Sequence, residues 1–167
     1  MQILKLAKVE NGKYGSAVKS NLEKTSLVLN VFTDINTFEQ LVLQRLANKD
    51  TTLSIGVLHT PFEVAKDIVR LMNEGKTDIL YVTGSTSASL AVFGIDETKV
   101  GNWFLNVFAE VSKKKKISVI ISDGMSGVGI AVIAASIKAS IDVEGFTTEP
   151  AAEVEEKATK LAKLLIE

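Results

Sequence analysis

Residues 117–137 read ISVIISDGMSGVGIAVIAASI, an apolar run interrupted at its centre by Asp123 and by Gly124, Gly127 and Gly129. Three readings compete for it: a membrane span, a buried strand and helix, or the floor of a binding site. Its longest uncharged run, residues 124–137, is 14 residues long, against the roughly 20 a spanning helix needs, and it opens on turn-forming glycines. A strand, a tight turn and a helix at the middle of a parallel sheet fit better, because such elements are apolar on nearly every side.

Working outward, strands and helices alternate from Ser26 onward. SLVLNVFT is a strand by its β-branched and apolar run, and DINTFEQLVLQRLANKD follows with Phe38, Leu41, Val42 and Leu46 on one helical stripe. TLSIGVLH is a second strand. The next segment, TPFEVAKDIVRLMNEGK, carries helix signals: Thr60 as a cap with Glu63 completing a capping box, Pro61 at the first helical position and Gly75 at the end. DILYVTG is a third strand, after which LAVFGI is a candidate short extra strand. Val100, Trp103, Phe104, Val107 and Val111 form a helical stripe ending in Lys113–Lys116, whose charges complement a helix C-terminus and read as a solvated end rather than a nucleic-acid patch. ISVIIS, IDVEGFT and a closing helix with Val154, Ala158, Leu161 and Leu165 aligned complete the pattern.

This order predicts a Rossmann-like, doubly wound α/β fold: a mostly parallel five-stranded sheet with right-handed crossovers and helices on both faces, spanning residues 26–167. Residues 1–25 read as a β-hairpin appendage, because Asn11-Gly12 between QILKLAKV and YGSAVKS is a hairpin turn signal. No repeat or linker divides the chain.

At 167 residues with no cysteine and one histidine, the chain closes one core without disulfides. It offers neither a thiolate nor a multi-histidine metal site, and no cofactor is called for. Nineteen basic against twenty acidic residues argue against a broad grip on duplex nucleic acid. The N-terminus has lysines spaced through it and lacks the apolar core of a signal peptide. A soluble, cytoplasmic protein off the membrane is the expectation.

In an open α/β sheet, ligands bind beyond the carboxyl ends of the strands, where strand order reverses. The loops to inspect are therefore FTDINT, LHTP, VTGSTSAS and SDGMSGVG. Three of these open onto helix N-termini, whose free amides favour anions. In DGMSGVG, Ser126 suits a phosphate or sugar oxygen and the glycines permit close approach; the competing reading is a packing turn with Asp123 as a helix cap. The spacing matches neither a P-loop nor a dinucleotide fingerprint. In FTDINT, Thr33 and Asn36 are ligand donors on one reading, and Asp34 or Asn36 with Glu39 forms a capping box on the favoured one. Gly84 and Ser85 of the third loop, which lacks the G-x-S-x-G of a nucleophile elbow, and His59 of the second are further ligand-binding candidates. His59 is a polar edge residue before it is an acid or base, since no partner is fixed in sequence.

The element order together with NVFTDINTFEQL and VIISDGMSGVGIAVIAASI resembles the CARF domain, the Rossmann-like sensor of type III CRISPR systems, over residues 27–148. The resemblance is to the sensor domains of archaeal CRISPR-associated regulators and ring nucleases, and it implies a homodimer with one composite pocket for a cyclic oligoadenylate, commonly the four-membered ring. Thr33, Asp34, Ile35 and Asn36 would line one side of the ring, and Asp123, Gly124, Met125, Ser126 and Gly127 the other. Any slow ring cleavage, metal-independent, would use Thr33 and Ser126 to orient groups. Many CARF domains carry Lys or Arg just after the glycine turn; here Val128, Gly129 and Ile130 stand there, which favours binding over cleavage. No recognisable effector follows Pro150. The alternatives are a Rossmann-like enzyme or binding protein for a mononucleotide or phosphorylated metabolite, with His59 or Asp123 as acid or base, and an interaction subunit with no ligand.

Overall fold

The computed structural model describes residues 2–166. Six strands, β1 (Leu4–Lys8), β2 (Val28–Phe32), β3 (Thr52–Gly56), β4 (Ile79–Gly84), β5 (Val119–Ile121) and β6 (Asp142–Thr147), form one parallel sheet in the order β1-β6-β5-β4-β2-β3. The helices are α1 (Tyr14–Leu22), α2 (Phe38–Leu46), α3 (Pro61–Gly75), α4 (Ser87–Val92), α5 (Glu97–Ser112), α6 (Val128–Lys138) and α7 (Ala151–Ala162). The fold is thus α/β, Rossmann-like and doubly wound, with six strands where five were expected. No helix among the described residues is long and apolar enough to cross a membrane.

The added strand is β1, and it replaces the expected N-terminal hairpin. Its partner is β6, with Leu4 level with Val143 and Lys8 with Thr147. Gly12 does turn the chain, at φ 64°. Asn11, however, folds forward: its side-chain carbonyl accepts from the Lys13 amide at 2.9 Å and its side-chain amide donates to Ser16 Oγ at 2.8 Å, so a helix starts there instead of a returning strand. Tyr14, Ala17, Val18 and Asn21 then form a buried i, i+3, i+4, i+7 stripe. Asn21 binds the Phe146 backbone through both ends of its side-chain amide, at 3.0 and 2.7 Å, and so fastens α1 over β6.

Strand order sorts the helices. The moves from β1 to β2 and from β2 to β3 run one way along the sheet and the remaining moves run back, so right-handed crossovers put α1 and α2 on one face and α3, α5 and α6 on the other. The second face holds the larger core, built from Ile68, Phe104, Ile120, Val132 and Val154 among others. There α6 is wedged between α5 and α7, and every residue from Val128 to Ser136 is buried. That environment explains why residues 117–137 show no amphipathic period. The first face carries a smaller cluster around Tyr14, Val28, Val42, Tyr81 and Ile121.

Two further expectations are corrected. LAVFGI is not a strand: Thr86 accepts from the Ser89 amide and starts α4, which ends before Gly94 at φ 70°. On α2 the stripe of Phe38, Leu41, Val42 and Leu46 is not a core face. Only Val42 of the four is buried, while Phe38 and Leu41 stand 64% and 52% exposed.

Candidate functional site

Strand order reverses between β2 and β4, so the crevice of interest opens above their carboxyl ends. Ser85 closes its floor. Its amide donates to the Val31 carbonyl at 3.0 Å, its hydroxyl accepts the Thr33 amide at 2.9 Å, and its carbonyl accepts the Val128 amide of α6 at 3.0 Å. One buried serine therefore joins the exits of β2 and β4 to the start of α6. Thr33 Oγ1 also reaches Ser85 Oγ, at 3.3 Å.

The residue 33–37 loop lies open above this floor. Thr33 is half-buried, and Asp34, Ile35 and Asn36 are exposed. Asp34 accepts the Asn36 amide at 2.9 Å, a local turn that leaves capping to Thr37, whose hydroxyl accepts the Gln40 amide. The expected cap at Asp34 or Asn36 with Glu39 is thus displaced by Thr37 with Gln40. The Gln40 side chain is drawn inward instead, where it exchanges two 2.8 Å hydrogen bonds with Asn30. The first amides of α2 have no helical partner and face the crevice end of the fold.

The residue 123–127 loop is closed. Asp123 is 1% exposed and turns beneath the sheet's carboxyl end, where Tyr81 and Thr83 both donate to Oδ2 at 2.8 and 2.7 Å and the Met125 amide donates to Oδ1 at 3.1 Å. The Thr83 hydroxyl has its proton on Asp123, so Tyr14 is the donor in the 3.2 Å contact between Tyr14 and Thr83. Burial pushes the Asp123 carboxyl above the ordinary carboxylate range, against the lowering effect of its donors, and raises both tyrosines well above theirs. Asp123 is not the cap of α6, whose capping residue is Gly127.

The glycines are packed against neighbouring protein. Gly127, at φ 101°, lies against the Ser85–Ser87 backbone, a Cβ on Gly84 would strike the Val31 carbonyl, and Gly124 sits under Val154. Thr86 and Gly127 form an antiparallel bridge, and the Ser87 amide donates to the Ser126 carbonyl at 3.0 Å. Gly84, Ser85, Asp123, Gly124 and Gly127 are accordingly buried behind the crevice. Met125 is half-buried and Ser126 exposed, its hydroxyl 3.0 Å from that of Ser87.

One carboxylate that sequence patterning did not single out sits at the start of α6. Glu97, in the first turn of α5, accepts the Gly127 amide at 2.6 Å. With Ser85 taking the Val128 amide, this helix N-terminus already holds an anion and a carbonyl of its own chain. Only the position of Glu97, beside the capping Asp96 of α5, marked it as an N-terminal acid; its reach across to α6 is a tertiary event.

His59 is exposed beyond β3, its Nε2 2.9 Å from Glu63 and its carbonyl accepting Trp103 Nε1–H at 2.6 Å. Glu63 thus pairs with His59 instead of closing a box on Thr60, which makes no side-chain cap. No hydrogen bond links His59 to Asp123 or to the serines. Among the described residues there is no group of acids and histidine arranged to hold a metal ion.

The fold and crevice define a doubly wound α/β protein with an open polar loop at its switch point. Comparison of the chain with family models, curated proteins and solved structures finds no match.

Proposed function

We propose that the chain is a CARF-like sensor that binds a cyclic oligoadenylate, the four-membered ring first, between the carboxyl edges of two copies. One observation carries the reading: the segments that follow β2 and β4 expose Ile35, Val92 and Phe93, at 48%, 80% and 59%. Large side chains so exposed beside a polar crevice suit a covering partner with ligand enclosed. A second copy supplies the cover, and a ring with two-fold symmetry suits the axis between copies. Thr33, Asn36 and Ser126 offer hydrogen bonds to phosphate or ribose, the leading amides of α2 face an anion, and Ile35 and Met125 offer surfaces for adenine. The α6 terminus is a weaker phosphate seat, because Glu97 holds it.

Ring cleavage, in this reading, is slow. A ribose 2′-hydroxyl would attack the adjacent phosphorus in line, its proton passing to water, and the P–O5′ bond would break to give a cyclic phosphate and a 5′-oxygen protonated from water; Thr33 and Ser126 orient groups and neither contacts an acid or base. Titration calorimetry with cyclic tetra-adenylate tests the binding. One ring per two chains with a raised melting temperature is expected; no heat and no thermal shift overturn the proposal.

A second reading has one support of its own: the Thr33–Ser85 junction at the switch point is formed within one chain. It makes the protein a binder of a mononucleotide or phosphorylated metabolite, and a stoichiometry of one ligand per chain would select it.

A further inference from the structure

The face of the sheet under α1 and α2 carries a surface that the edge crevice does not use. The two helices, nine residues each, leave between them a groove of about 580 Å³. Phe38, Val42 and Leu46 form its apolar floor, and Lys13, Lys19 and Arg45 stand along its rim. Among the described residues no acidic side chain lines the groove and none of the three cations has an ion-pair partner.

We propose that this groove docks an acidic amphipathic helix of a partner protein. Its form argues for a helix: nine residues rise about 13 Å, the length of two to three helical turns, and a groove between two helices takes a third through apolar anchors at i, i+3, i+4 and i+7. Its charge argues for acidity, since three unpaired cations flank the floor and glutamates beside the anchors would meet them. A second copy of this chain is disfavoured as occupant, because it would bring its own basic rim against this one. An extended nucleic acid is disfavoured by the valine, leucine and phenylalanine floor and by a net charge of -1.

The test uses the full chain and a fluorescent helical peptide with leucines at the four anchor positions and glutamates beside them. Fluorescence anisotropy is expected to show saturable, salt-weakened binding, reduced at least about ten-fold by the double change Lys19→Glu, Arg45→Glu. The same peptide with lysines for glutamates should not bind. Both substituted residues are exposed, so an unchanged melting curve is expected and keeps the result interpretable; Leu46→Gln is a second variant, which lowers affinity through the floor. No binding of the acidic peptide, equal binding of both peptides, or indifference to the variants would overturn the proposal. So would preferential binding to phosphatidylserine vesicles, or a loss of self-association in the double variant, since these name a membrane or a second copy as occupant. Cyclic tetra-adenylate and the acidic peptide are separate reagents, so this surface and the proposed edge site fail independently.

Discussion

Two loops at the same edge of the sheet, residues 33–37 and 123–127, look alike as sequence: each is short and polar, contains an aspartate, and feeds a helix. Folded, they differ in where their polar groups find partners. The aspartate of the first stays outside and stabilises its own turn, while that of the second goes inside and gathers Tyr81, Thr83 and the Met125 amide. The first leaves the Asn36 side chain and the leading amides of α2 for a visitor; in the second, neighbouring protein has taken all but the exposed Ser126. Glycine content therefore marked the loop that packs most tightly, and the loop without glycine is the open one.

Substitutions sharpen this contrast, the severest first. Gly84→Ala places a methyl on the Val31 carbonyl between two paired strands. A loss of at least about 3 kcal/mol, or failure to fold, is expected in urea unfolding. A near-neutral result would mean that β2 and β4 approach less closely at Val31 and Gly84 than described.

Asp123→Ala strands two buried hydroxyls and should cost about 2–4 kcal/mol, whereas Ser126→Ala should cost less than about 0.5 kcal/mol. Asp123→Asn probes the charge. Because burial raises the folded-state carboxyl pKa, the folded state holds the proton more tightly than the unfolded one. Stability from this group is then full below the unfolded value of about 3.9 and falls as pH rises through the folded pKa. The melting temperature of Asp123→Asn relative to the parent should accordingly rise from pH 4 to pH 8; a constant difference would mean that the carboxyl titrates as in the unfolded chain.

Glu97→Gln keeps a hydrogen bond to Gly127 and removes the charge at the start of α6. A loss of about 1 kcal/mol is expected, together with tighter inorganic phosphate binding if the terminus, relieved of the carboxylate charge, becomes an anion seat. The smallest effect belongs to His59→Ala. The exposed His59–Glu63 pair contributes no more than about 0.5 kcal/mol, and ligand binding at the 33–36 loop should be unaffected.

How much of this was legible from sequence depends on the range of the interactions. The alternation of apolar strands and helices, the Pro61 start and the buried character of residues 117–137 are local patterns, and each matches an element of the fold. QILKLAKV does hold a strand, but its partner is not the next segment, because Asn11-Gly12 signals a turn equally well before a helix or a returning strand, and the partner strand β6 lies at the other end of the chain. The α2 stripe was periodic, yet periodicity identifies a face and not its cover. The inward turn of Asp123 and the reach of Glu97 to Gly127 depend on two loops meeting in space, which no spacing rule encodes. Alternation alone pointed to the four strand-exit loops; which of them meet at the switch point, and which stay open, rests on the sheet order.

The bridge between Thr86 and Gly127 has a mechanical consequence. It fastens the exit of β4 to the entrance of α6, and the Ser87–Ser126 contacts add a second fastening beside it. Any displacement of Ser126 that keeps these hydrogen bonds therefore carries with it the start of α4, the short helix that ends at the exposed Val92.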